Sequence, residues 1–113
     1  MLMKYMIVDD NAGMREMIRE TACTEHDSVL ECSDGSEAVS AFSTFLPDVV
    51  LMDIEMKEMD GFTASEQIYQ QDPNARIIFI TSHNTSAFRM KAKMMKAAGF
   101  VTKENLSELH RIL

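Results

Sequence analysis

Among 113 residues there are only four glycines, two prolines and two cysteines. No uninterrupted apolar run reaches the ~18 residues that a membrane span needs. These shortages exclude several classes. No stretch reads as a linker, a repeat or a low-complexity segment. Pro47 precedes one periodic segment and Pro73 follows another, so both mark breaks. Cys23 and Cys32 lack metal-ligand spacing, and the opening MLMKYMIVDD is apolar too briefly for a cleavable signal. Two reduced, buried, inert thiols in a cytoplasmic protein are therefore expected. Neither a membrane nor generic nucleic acid is expected as a partner, the latter because the net charge is −7.

What is present fits one globular unit over residues 1–113, with 46% hydrophobic and 26% charged residues around one core. The charge is uneven. Residues 1–60 carry 14 Asp/Glu and 4 Lys/Arg, whereas residues 61–113 carry 4 and 7. An acidic first half needs either solvent or a counter-ion for its carboxylates.

Apolar runs alternate with helical patterns. Strands are predicted at 3–8, 28–33, 48–53, 75–82 and 100–103. Helices are predicted at 12–23, 36–45, 62–71, 86–98 and 104–113. Ala38, Val39, Phe42 and Phe45 form one stripe, and Phe88, Ala92, Met95 and Gly99 another. The first, third and fourth strands are nearly continuous apolar runs, as expected of strands covered on both faces. Five β-α units with right-handed crossovers give a doubly wound α/β fold with a parallel sheet and helices on both faces. In such folds ligands bind at the carboxyl ends of the strands.

Those ends carry the chemistry. Asp9 and Asp10 end the first strand, Asp53 the third, Thr81 and Ser82 the fourth, and Lys103 the fifth. Each alone is ordinary, since Asp commonly caps helices and Lys is commonly a surface charge. Together on one rim they gather three carboxylates, a hydroxyl and an ammonium. Close carboxylates repel, and a hard divalent cation such as Mg²⁺ removes that penalty. An ionised Asp53 beside a metal is a competent nucleophile toward phosphorus. Thr81 and Lys103 are placed to meet the transferred oxygens.

The set IVDD (7–10), VVLMDIEM (49–56) with MDGF (59–62), IIFITS (77–82) and AAGFVTK (97–103) resembles the receiver domain of two-component response regulators over essentially the whole chain. The resemblance implies a flavodoxin-like strand order 2-1-3-4-5. It implies a phosphorylation-activated switch rather than an enzyme, one that promotes its own Mg²⁺-dependent phosphorylation and dephosphorylation. By resemblance Asp53 is the phosphoacceptor, Asp10 a direct Mg²⁺ ligand, Asp9 a ligand through water, and Glu55 the donor of a backbone carbonyl. Thr81 is the switch hydroxyl, Lys103 the phosphoryl-pairing lysine and Phe100 the switch aromatic. Glu55 and His83 flank the phosphosite and tune the phosphoryl lifetime. A histidine kinase or phosphotransfer protein is expected to meet the first helix at Met14, Met17 or Ile18. A downstream effector or a second copy is expected on the face of the fourth helix, fifth strand and fifth helix.

Some positions depart from the family pattern. Lys57 and Glu104 stand where proline is common, and Lys96 stands where a glycine commonly ends the fourth helix. These departures leave open a receiver-like interaction module that works without phosphorylation. A phosphohydrolase with an Asp nucleophile fits poorly. Glu55 occupies the place where such enzymes have an acid/base Asp, and the chain holds no cap domain. Met90 and Met94 fall outside the core stripe among Arg89, Lys91, Lys93 and Lys96, which reads either as packing at another edge or as a basic, methionine-studded binding surface. His26, His83 and His110 share no motif, so surface positions are expected.

Overall fold

The three central strands bury both their faces because nearly every residue in them is apolar. In the computed structural model, which describes residues 2–113, the strands are β1 (Lys4–Val8), β2 (Ser28–Cys32), β3 (Val49–Asp53), β4 (Ile77–Thr81) and β5 (Gly99–Thr102). Met1 of the opening MLMKYMIVDD stretch lies outside the described residues. All pairings are parallel and the order is β2-β1-β3-β4-β5, as the resemblance implies. Every residue of β3 and β4 is buried.

The pleat sends alternate side chains to opposite faces. Met6, Val8, Val50, Met52, Ile77 and Phe79 point to one face and meet Ala38 and Phe42 of α2 (Gly35–Phe45), Phe62 and Ile68 of α3 (Gly61–Gln71) and Ala92 of α4 (Ser86–Met94). Tyr5, Ile7, Val49, Leu51, Ile78 and Ile80 point to the other and meet Ile18 of α1 (Ala12–Ala22), Leu106, and Leu109 of α5 (Leu109–Ile112). Each large side chain fully buried this way contributes roughly 1.5–3 kcal/mol. Of the two thiols expected to be buried, only Cys32 is fully so. Cys32 is buried and Cys23 half-buried, both free, and burial pushes them up to about 12 and about 11.

Four helices start at side-chain caps. Asn11, Asp34, Asp60 and Thr85 accept from the amides of Met14, Glu37, Thr63 and Phe88 at 2.8, 2.8, 2.9 and 3.1 Å. Each cap follows a strand, so the helix N-termini and the strand ends share one rim.

Two predicted helices are shorter than their apolar patterns suggest. The fourth ends at Met94 rather than 98, because Lys96 adopts left-handed backbone with φ 60°. The amide of Lys96 bonds the carbonyl of Lys93 at 3.0 Å, and that of Ala97 bonds the carbonyl of Ala92 at 3.1 Å. This is a Schellman cap with a lysine where glycine is favoured. Lys96→Gly is expected to stabilise the protein by about 1 kcal/mol, read as a raised denaturation midpoint in urea. The predicted 104–113 helix is instead a 3-10 segment, Lys103–Glu108, followed by the short α5. Asn105 breaks it at φ −135°, ψ 54°. Its side chain bonds the side chains of Ser107 and Glu108 at 3.0 and 3.4 Å.

Candidate functional site

The parallel register brings the residues after β1, β3, β4 and β5 to the same edge of the sheet. Adjacent residues there meet opposite environments. Asp9 is fully buried, and Asp10, its neighbour, is exposed. The Asp9 amide bonds the carbonyl of Cys32 at 3.1 Å, and its Oδ1 accepts from the Asn11 amide at 2.9 Å. Arg15 secures this loop: Nη1 donates to the Asp9 carbonyl at 2.6 Å, and Nε pairs with Glu31 at 2.9 Å.

Asp53, at the end of β3, is 4% exposed. Lys103 projects between the two buried carboxylates, with Nζ 2.9 Å from Asp9 Oδ2 and 3.4 Å from Asp53 Oδ1. The contact to Asp9 Oδ2 is an ion pair without hydrogen-bond alignment, and among the described residues that buried oxygen has no other partner. One ammonium does not neutralise two carboxylates. Burial, and then the Asp9 charge, push the Asp53 carboxyl up to about 6 despite Lys103. Burial also works against the Lys103 charge, but the close contact with Asp9 and the charges of both carboxylates outweigh it and raise its pKa.

Asp9, Asp10 and Asp53 each offer an oxygen, all within 4.8 Å of one another. With Asp9 Oδ2 held by the Lys103 charge but by no aligned hydrogen bond, this all-oxygen set has the chemistry a hard divalent cation prefers. Thr81 is buried at the end of β4, and its Oγ1 accepts from the His83 amide at 3.1 Å. His83 Nδ1 and Glu55 Oε1 touch across the rim, both side chains more than half exposed. The two positions expected to flank the phosphosite therefore meet. Phe100 is half-buried farther along β5, with the Arg89 guanidinium 4.6 Å from its ring centroid. Arg89 Nε also donates to Asn84 Oδ1 in the loop after β4. On α1, Ile18 is core, Met14 is half-buried and Met17 exposed. His26, His83 and His110 are all exposed.

Sequence reasoning missed three contributors to this edge. Arg15 draws no reading and Arg89 reads only as part of the basic surface of the fourth helix, because nothing local signals the carbonyl or ring they reach. Gly61 lies in the MDGF stretch, and its amide donates to the Ile54 carbonyl at 2.7 Å where the chain leaves the site.

A flavodoxin-like parallel sheet with a carboxylate cluster, a lysine and a hydroxyl at its carboxyl rim defines an α/β domain built to handle an oxyanion and a cation together. The family model described as the response regulator receiver domain matches residues 5–113, and the chain belongs to that family of phosphorylation-activated signalling switches in two-component systems. The chain is similar to the chemotaxis protein CheY of Bacillus subtilis, 38% identical over 101 residues that cover 88% of this chain and 84% of the relative. It is also similar to CheY of Halobacterium salinarum, 36% identical over 103 residues (91% and 86%). Among solved structures, a LuxR-family two-component response regulator from Aurantimonas matches with TM-score 0.89 and 34% identity over 98% of this chain and 81% of that one. The response regulator domain of Thermotoga maritima CheB matches with TM-score 0.86 and 28% identity over 99% and 94%.

Proposed function

We propose that residues 1–113 form one cytoplasmic receiver unit in which Asp53 accepts a phosphoryl group from a histidine kinase or phosphotransfer protein. The observation that carries this reading is the Lys103 ammonium held between buried Asp9 and Asp53, on the rim that also bears Thr81. Asp10, Asp53, the Glu55 carbonyl and, through water, Asp9 would hold Mg²⁺, which when bound offsets the carboxylate charge and that of the incoming phosphoryl group. Asp53 reacts as the carboxylate: one oxygen attacks phosphorus in line, the bond to the donor's leaving group breaks, and no proton leaves Asp53. Lys103 turns from the carboxylates to the phosphoryl oxygens. Thr81 gives up its contact with the His83 amide to donate its hydroxyl to the same oxygens, and Phe100 follows into the space it leaves. Glu55 and His83 stand over the approach to Asp53 and set how readily water reaches the acyl phosphate. Met14 and Met17 on α1 meet the donor, and the face of α4, β5 and α5 carries the altered shape to an effector or a second copy.

The test is intact mass after incubation with acetyl phosphate. A single phosphoryl adduct is expected with Mg²⁺, and none with Asp53→Asn or with excess chelator. A wild-type chain that takes up neither the phosphoryl group nor beryllofluoride in Mg²⁺ overturns the reading in favour of an interaction module.

A further inference from the structure

One carboxylate of the cluster is held less by packing than the other two. Asp10 is exposed, whereas Asp9 and Asp53 are buried. Its placement therefore rests on the backbone at either side. After it, the Asn11 amide donates to Asp9 Oδ1 at 2.9 Å, and Asn11 Oδ1 caps α1 at the Met14 amide. Before it, the β1–β2 register ends at Val8 and Cys32, and one more bond, from the Asp9 amide to the Cys32 carbonyl, closes the ladder. The Asp9 carbonyl lies past that ladder and accepts from Arg15 Nη1 at 2.6 Å.

Arg15 is out of place as a helix residue. It stands one turn into α1, near the end where the helix dipole disfavours a cation, and the first turn holds no acidic residue to offset it. Yet its side chain is 16% exposed, against 53% for Arg19 one turn further on. Its Nε pairs with Glu31 Oε1 of β2 at 2.9 Å, so the guanidinium spans from β2 to the Asp9 carbonyl. Two N–H groups in one rigid plane thus hold acceptors on two different elements. A peptide group is planar, so fixing the Asp9 carbonyl oxygen also fixes the nitrogen and Cα of Asp10.

We propose that Arg15 is a positioning residue for the cation site: through the Asp9 carbonyl it aims the Asp10 carboxylate at the point where the oxygens of Asp9 and Asp53 converge. The inference rests on the reading of this rim as a Mg²⁺ site. Charge and position make opposite predictions for it. A guanidinium beside a cation site repels the ion, so by charge alone its removal strengthens binding. Positioning predicts the reverse, since groups that orient a metal ligand commonly govern affinity by about ten- to a hundredfold.

The test is a Mg²⁺ titration of ¹⁵N-labelled protein, followed at the Asp10 and Asn11 amides, which reads the dissociation constant of the folded chain whatever its stability. The constant is expected to rise about tenfold or more in Arg15→Ala. Arg15→Lys is expected to rise likewise, because it keeps the charge but not the planar fork. Arg19→Ala is the control. It loses a pair with the same Glu31, 3.2 Å long, but no contact with the loop, and is expected to bind as wild type does. A second readout needs no metal. In chelator, solvent exchange of the Asn11 amide is expected to quicken in both Arg15 variants and not in Arg19→Ala. An Arg15→Ala protein that melts lower yet binds Mg²⁺ as wild type does, or more tightly, would overturn the inference and leave the Mg²⁺ reading standing. A wild-type chain that binds no Mg²⁺ would overturn both.

Discussion

Asp53→Asn is expected to make the metal-free protein more stable at pH 7 by about 2–3 kcal/mol, with the gain fading in acid. The native carboxyl titrates near 6, above its ordinary value of 3.8, because burial and the Asp9 charge oppose ionisation. A raised carboxyl favours the fold while it is protonated. That contribution is whole below pH 3.8 and is lost as pH rises through 6. Above that range the folded protein carries an uncompensated buried carboxylate, and the asparagine removes it while leaving the Lys103–Asp9 pair in place. Urea denaturation of both proteins in chelator, from pH 4 to 8, measures the effect. The two curves should converge toward pH 4, draw apart as pH rises to about 6 and stay a constant distance apart above it. Adding Mg²⁺ should raise the wild-type midpoint more than that of the variant. A difference that is independent of pH would place the gain outside the carboxylate charge.

The second large effect is expected from Gly61→Ala. A Cβ on Gly61 would lie 1.9 Å from the Asp53 carbonyl oxygen and 2.9 Å from the Ile54 Cα. Both are backbone atoms, so no side chain can swing aside. Either the Gly61–Ile54 hydrogen bond opens or the end of β3 moves, and β3 is buried on both faces. A loss of about 3–5 kcal/mol is expected, at the upper end for a single substitution. Thermal denaturation measures it. The comparison is Gly99→Ala, whose Cβ meets only flexible tips at its closest, the Cδ1 and Cγ2 of Ile112 at 2.9 and 3.2 Å. The smaller loss is expected there.

The continuous apolar runs of β1, β3 and β4 made the covered parallel sheet legible, because nothing else in a protein of this size tolerates such strands. The strand order came with the family resemblance, not from periodicity. The gathering of Asp9, Asp10, Asp53, Thr81 and Lys103 on one rim was legible because a parallel sheet aligns all its carboxyl ends. What escaped was set by backbone and by contacts between loops. The apolar stripe of the fourth helix runs on to residue 98, but the left-handed turn at Lys96 ends the helix first. The last segment has helical composition, yet the backbone at Asn105 leaves helical geometry and breaks it. The different fates of Asp9 and Asp10, and the meeting of Glu55 with His83, depend on where distant loops turn. Neighbouring letters carry no record of that.

The lysine between Asp9 and Asp53 has a consequence for how the fold is acquired. The chain brings its own cation to its most repulsive spot, tethered by four methylenes to the end of β5. Maturation is then not hostage to metal supply, because the sheet can close on Lys103 alone. An arriving divalent ion must instead outcompete a charge that never diffuses away and whose local concentration is fixed by its tether. Where Mg²⁺ binds as proposed, its occupancy would follow the surrounding magnesium level rather than saturate at trace amounts.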